Sequence, residues 1–195
     1  MVDAKLVQKL REKTGVGMMS CKEALREAAG NMEKAVEILR KKGEAKAVKH
    51  GTRTAKEGLV DSYIHLGGKI GVLLELSCET DFAAKSKDFR EMSKDLCMHI
   101  AASNPLYIKR EDVPPEVVAK EKEIFKAQVT NKPAAAIEKI LEGKIEKFYQ
   151  DVCLMEQPFV KNTDVSVKEY IVSHVAKIGE NIVIRRFARY QVGEE

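Results

Sequence analysis

The spacing of apolar residues changes at residue 58, and that change limits the fold more than any other feature. Upstream, apolar residues recur at three- and four-residue intervals, as on one face of a helix. From Leu59 to His65 and from Lys69 to Cys78 they crowd into short runs rich in Val, Ile, Leu and Tyr, separated by Leu66-Gly67-Gly68. Two such runs about a Gly-Gly turn predict a β-hairpin. A third run of strand character, Asn181 to Val192, comes only near the end of the chain, and apolar residues occupy both of its faces. The three strands are expected to form one antiparallel sheet. The intervening sequence returns to helical spacing, so the chain reads as α+β, a small antiparallel sheet with several packed helices.

The first 43 residues predict three short helices. Asp3 is placed to cap the first, whose stripe is Leu6, Val7 and Leu10, and Gly15 supplies a stop. Ser20-Cys21-Lys22-Glu23 has the capping-box pattern that would open the second, with Ala24, Leu25 and Ala28 inward and Gly30 at its end. Asn31 is placed to cap the third, with Met32, Ala35, Val36 and Leu39 inward and Gly43 closing it. Residues 44–57, EAKAVKHGTRTAKE, read as a basic linker or a frayed helix. The expected division is a three-helix module over 1–43, the linker over 44–57, and an α+β core over 58–195.

Within that core, Asp88 to Ala102 carries Phe89, Met92, Leu96 and Ile100 on one stripe. Pro114 to Val129 opens on Pro-Pro, a favourable helix start. Ala134 to Val152 follows, with a predicted interruption at Gly143. Ser166-Val167-Lys168-Glu169 is a second capping-box pattern, opening a helix expected to run to Ile178 and stop at Gly179.

Composition narrows the chemistry. Lys and Arg number 34 and Asp and Glu 30, a net of +4 that does not by itself argue for nucleic-acid binding. There is no Trp, and aromatics are only 6%, which speaks against a base-stacking surface. No stretch approaches the roughly 20 apolar residues of a membrane span, and the charged N-terminus MVDAKLVQKLREK does not read as a secretory signal. Cys21, Cys78, Cys97 and Cys153 form no C-x-x-C pair and read as reduced, buried thiols. His50, His65, His99 and His174 do not join them at zinc-ligand spacing, so no metal site is expected. No phosphate-binding glycine motif or nucleophile motif occurs, so neither a cofactor nor an enzyme site is expected.

Two segments are unusual for a plain domain. Gly17-Met18-Met19-Ser20 precedes a helix, and its two methionines fit a core plug or a partner contact equally well. Glu79-Thr80-Asp81-Phe82-Ala83-Ala84 follows a strand, with Thr80 or Asp81 placed to cap the next turn. Phe82 then sits at a strand-to-helix corner. Burial in the core is the plainer reading, and an aromatic anchor for a partner pocket is the alternative.

Those segments carry a family resemblance. Residues 10–25, LREKTGVGMMSCKEAL, closely resemble the N-terminal signature of elongation factor Ts, and ETDFAA at 79–84 resembles that family's second signature, with Ala83 in place of the usual Val. SYIHLGGKIGVLLEL at 62–76, QPFVKN at 157–162 and KIGENIVIRRFARY at 177–190 match in the same order.

The resemblance implies a cytoplasmic guanine-nucleotide exchange factor for elongation factor Tu, without bond-making chemistry of its own. It implies a ubiquitin-associated-like fold for the first module. By motif, Arg11, Met18, Met19 and Lys22 would touch the GTPase domain. Asp81 and Phe82, flanked by Thr80 and Ala83, would intrude near the partner's Mg²⁺ and phosphate loops. His65, Ile178 and Gly179 match further contact positions. Long family members carry two related core halves, whereas this chain resembles a short form with one. It is therefore expected to pair as a homodimer through residues of about 59–78 and 181–192. A basic RNA-binding module using residues 40–56 with Arg185, Arg186 and Arg189 is the runner-up, and a ubiquitin-associated-like adaptor the third reading.

Overall fold

A computed structural model describes residues 3–129 and 133–194. Met1 and Val2, part of the charged N-terminal stretch, lie outside the described residues. The elements run α1 (Ala4–Thr14), α2 (Met18–Glu27), α3 (Met32–His50), β1 (Glu57–Ile64), β2 (Ile70–Cys78), α4 (Asp81–Lys85), α5 (Lys87–Ser103), α6 (Pro115–Ala127), α7 (Ala134–Val152), β3 (Pro158–Phe159), β4 (Asn162–Ser166), α8 (Val167–Ile178) and β5 (Val183–Gln191). Single 3-10 turns occupy Arg110–Asp112 and Leu154–Glu156. The expected α+β class is the one adopted. The main sheet has the order β1-β2-β5, and β3 pairs antiparallel with β4. The hairpin closes about Gly67-Gly68 through His65 N–H to the Ile70 carbonyl at 2.9 Å.

The first and third helices begin at the caps that the sequence places there. Asp3 caps α1 by accepting from Lys5 N at 3.0 Å, and Asn31 caps α3 by accepting from Lys34 N at 3.0 Å. The apolar stripes of α1, α2 and α3 meet in one cluster of Val7, Leu10, Cys21, Ala24, Leu25, Ala28, Ala35 and Leu39.

Three expectations need correction, and one small hairpin is additional to them. The second helix does not open at Ser20. Gly17 is its N-cap and Cys21 N already bonds to the Gly17 carbonyl at 3.1 Å, so Ser20 lies inside the first turn with no capping to do. The third helix does not stop at Gly43 but runs to His50. A Cβ at Gly43 would lie 3.4 Å from Ala176 Cβ, so this glycine marks a close approach of α8 and not a terminus. The basic stretch from 44 to 50 is accordingly helical. Gly143 does not interrupt α7. It faces open space, and its cost of about 1 kcal/mol relative to Ala leaves the helix continuous through Val152. The short β3–β4 hairpin is not expected from the sequence, because a two-residue strand shows no alternation and β4, NTDVS, has Val165 as its only apolar strand former.

The chain divides into two compact units. One comprises Met1–Asp61, Leu74–Lys94 and Glu169–Arg185, the other Ser62–Leu73, Asp95–Lys168 and Arg186–Glu195. In the first, Gly58 is required by the strand pairing. Its φ is +150°, and a Cβ there would come within 2.1 Å of the Leu76 carbonyl oxygen. In the second, the Arg110 guanidinium ties α7 to the 3-10 turn after it. It donates to both oxygens of Glu146 at 2.8 and 2.6 Å and to both of Glu156 at 2.9 Å, and stacks 4.9 Å over the Tyr149 ring. All four cysteines are free and buried, as their spacing predicts. No described helix is long and apolar enough to cross a membrane.

Candidate functional site

The corner between β2 and α4 presents an aromatic side chain on a heavily bonded backbone. Phe82 is 87% exposed, so the plainer sequence reading of a core phenylalanine is wrong. The residues following it, Ala83 and Ala84, take the inward positions of this short helix. Thr80 is the N-cap, accepting from Ala83 N at 3.2 Å. Asp81 is exposed and pairs with Lys85 one turn on at 2.5 Å.

Two carboxylates lock this corner to the loop after α8. Glu180 accepts from Glu79 N and Thr80 N through one oxygen, both at 3.0 Å, and from the Thr80 hydroxyl through the other at 2.6 Å. In return, Glu79 Oε1 accepts from Asn181 N at 2.7 Å. That backbone bond is the main reason the Glu79 carboxyl titrates below its usual range, with His50 and Arg53 adding to it. Asn181 Nδ2 donates to the Arg53 carbonyl at 2.8 Å, so the chain just after α3 joins the same network. Beneath, the Cys78 thiol donates to the Thr80 carbonyl at 3.2 Å. Burial, then the Glu180 charge, push that thiol up to about 11, which keeps it a protonated donor. Gly179, with φ +84°, makes the left-handed exit from α8 that brings Glu180 round to the corner.

The other sequence-derived candidates fall into two places. Met18 and Met19 lie in the first turn of α2, 45% and 67% exposed, which favours contact over a core plug. Met19 and Lys22 line a shallow groove with Leu6, Leu25 and Arg26. Arg11 is exposed on α1. These residues share a compact unit with Thr80, Asp81, Phe82, Ile178 and Gly179. Ile178 is half-buried, Gly179 is exposed, and Ala83 is buried at 3%, so the Ala83 side chain is not presented. His65 belongs to the other unit, exposed at the hairpin turn with Nδ1 3.0 Å from the Tyr63 hydroxyl. Sequence reasoning missed Glu79 and Glu180 as site residues. The available signal was a glutamate in each of the matching segments ETDFAA and KIGEN.

Among the described residues, no group of three or more His, Cys, Asp or Glu is placed to hold a metal ion. An exposed aromatic on a fixed corner and an exposed methionine pair on a helical module are features suited to recognising a protein partner. Comparison with known proteins makes this specific. The family model described as Elongation factor TS matches residues 4–194. The chain is 58% identical to "Elongation factor Ts" of Moorella thermoacetica, covering 100% of this chain and 97% of that protein. It is 56% identical to those of Thermodesulfovibrio yellowstonii, covering 99% and 97%, and Carboxydothermus hydrogenoformans, covering 100% and 90%. The chain belongs to the elongation factor Ts family. Membership implies nucleotide exchange on elongation factor Tu in translation elongation.

Proposed function

We propose that the chain stimulates GDP release from elongation factor Tu by inserting Asp81 and Phe82 beside the partner's Mg²⁺ and phosphate loops. The observation that carries this is the 87% exposure of Phe82 on a corner held by Glu79 and Glu180. An exposed aromatic on a rigid corner has the form of an anchor for a partner's pocket. Arg11, Met18, Met19 and Lys22 dock the three-helix module on the GTPase, with Lys22 meeting an acidic group. Ile178, Gly179 and His65 extend the contact, and Thr80 and Ala83 support the intruding pair from behind.

Exchange is reciprocal coupling, in which factor and nucleotide each weaken the other's hold on the GTPase. The factor shifts that equilibrium only through contacts made better with the nucleotide-loosened state. Burying Phe82 there supplies about 1.5–3 kcal/mol, one to two factors of ten, and the methionine contacts add to the binding. The activity belongs in the cytoplasm and needs no cofactor of the factor's own.

Residues 58–195 serve as the core and pairing domain, with residues 1–43 as the GTPase-binding module. Pairing of two copies is supported by the apolar residues exposed on the hairpin and at the end of β5. Ile64, Leu66, Tyr190 and Val192 are each more than 60% exposed. The expected complex has two factors and two GTPases, and sedimentation showing a stable monomer refutes it.

The deciding test is release of a fluorescent GDP analogue from elongation factor Tu. Phe82→Ala is expected to fold normally and lose most of the stimulation. An unchanged release rate overturns the wedge.

A further inference from the structure

We infer that Glu180 is a positioning residue for nucleotide exchange, acting through Phe82 by holding the corner at one orientation. The inference rests on the reading of Phe82 as the inserted group. Phe82 is 87% exposed, so packing against neighbours does little to aim its ring, and the direction it leaves the surface is set by the backbone of residues 79–82. That backbone is held largely by one side chain. Glu180 takes up two successive N–H groups, of Glu79 and Thr80, with one oxygen. With the other it takes the hydroxyl proton of Thr80.

The last bond has a consequence for the helix that follows. Once the Thr80 hydroxyl donates to Glu180, its lone pairs are what remain, and one of them accepts Ala83 N as the cap of α4. Glu180 therefore orients the cap as well as the strand end. Glu79 returns the arrangement by accepting Asn181 N, so each carboxylate holds the backbone of the other's segment and neither segment shifts alone. A wedge needs its anchor preorganised, because aiming a loose aromatic at the moment of insertion consumes binding energy that would otherwise displace the nucleotide.

Glutamine at 180 can still accept N–H groups through its amide oxygen but offers an N–H₂ where the second carboxylate oxygen stood. Its bond to Thr80 must then reverse, which takes away the acceptor of the hydroxyl proton and brings a second donor to the oxygen that caps α4. Alanine removes all three bonds. In the fluorescent-GDP release assay with elongation factor Tu, Glu180→Ala is expected to lower the maximal rate at saturating factor by about ten- to hundredfold. Glu180→Gln should fall between it and wild type, and neither should exceed the loss in Phe82→Ala.

The distinguishing measurement is the double variant. If Glu180 acts through Phe82, then Phe82→Ala with Glu180→Ala is no slower than Phe82→Ala alone. A further multiplicative loss in the double variant, or a wild-type maximal rate in Glu180→Ala, overturns the inference. If Phe82→Ala itself keeps wild-type exchange, the wedge reading fails first. If Glu180→Ala does not fold, Glu180→Gln and its own double with Phe82→Ala give the same comparison.

Discussion

Phe82 and Phe159 lie in two segments built alike and put to opposite use. Each follows a polar residue that locks the backbone, Glu79 in the first and Gln157 in the second. Yet Phe82 is 87% exposed and Phe159 is 2% exposed. The locks differ in chemistry as well. Glu79 and Glu180 are carboxylates holding backbone N–H groups near solvent, where charge is tolerated. Gln157 is a buried amide whose nitrogen donates to the Asp151 carbonyl at 2.8 Å and whose oxygen lies 2.9 Å from His99 Nε2. His99 is fully buried, and its Nδ1 accepts from Val160 N at 3.1 Å. Since a backbone N–H can only donate, His99 must be neutral with its proton on Nε2, given to Gln157. The exposed aromatic thus stands beside a charged lock and the buried one beside a neutral lock.

The contrast can be broken most sharply by deleting each ring. Phe159→Ala should cost about 3–5 kcal/mol of stability, whereas Phe82→Ala should change stability by less than about 0.5 kcal/mol. Urea melts of the two variants check this, and equal losses would erase the distinction. Next, Gln157→Ala should cost about 1–3 kcal/mol, because it leaves the buried His99 N–H unpaired, as seen in the same melts.

Acid should then separate the two locks. Burial holds the His99 pKa below its ordinary value, only partly opposed by the bond to Gln157. The unfolded chain therefore binds the proton first. Stability from neutral His99 is present above pH about 6.5 and is lost as pH falls through the window between that value and the lowered folded one. The Glu79 pKa is lowered too, but from the carboxylate range, so its contribution is lost only below pH about 4.5. Unfolding midpoints from pH 7.5 to 3.5 should decline in both windows. Glu79→Gln should flatten the lower decline and leave the upper one. A modest gain is expected at Ser93, buried on α5 with no partner for its hydroxyl. Ser93→Ala should raise stability by about 1 kcal/mol, and a loss in thermal melts would show that the hydroxyl's packing outweighs its desolvation.

Features made by neighbours in sequence were legible beforehand. The hairpin about Gly67-Gly68, the caps at Asp3, Asn31 and Thr80, and the apolar stripes of the first three helices depend on residues a few positions apart. Gly43 and Ser20 were misread because the same local pattern has two uses. A glycine that can end a helix can equally admit another helix, and here α8 occupies the space. An S-x-x-E pattern caps only where the chain is not already helical, and Gly17 starts α2 one turn earlier. Of the candidate site, the motifs located the corner and the methionines, but not the lock, since Glu79 and Glu180 are a hundred residues apart.

By itself the sequence determined the class of fold and the family, because periodicity, capping and motif are local properties. Only the tertiary structure decided that Phe82 is exposed and which side chains hold the corner behind it. Exposure depends on what other parts of the chain cover, and the carboxylate exchange between Glu79 and Glu180 exists only once β2 and the loop after α8 are brought together.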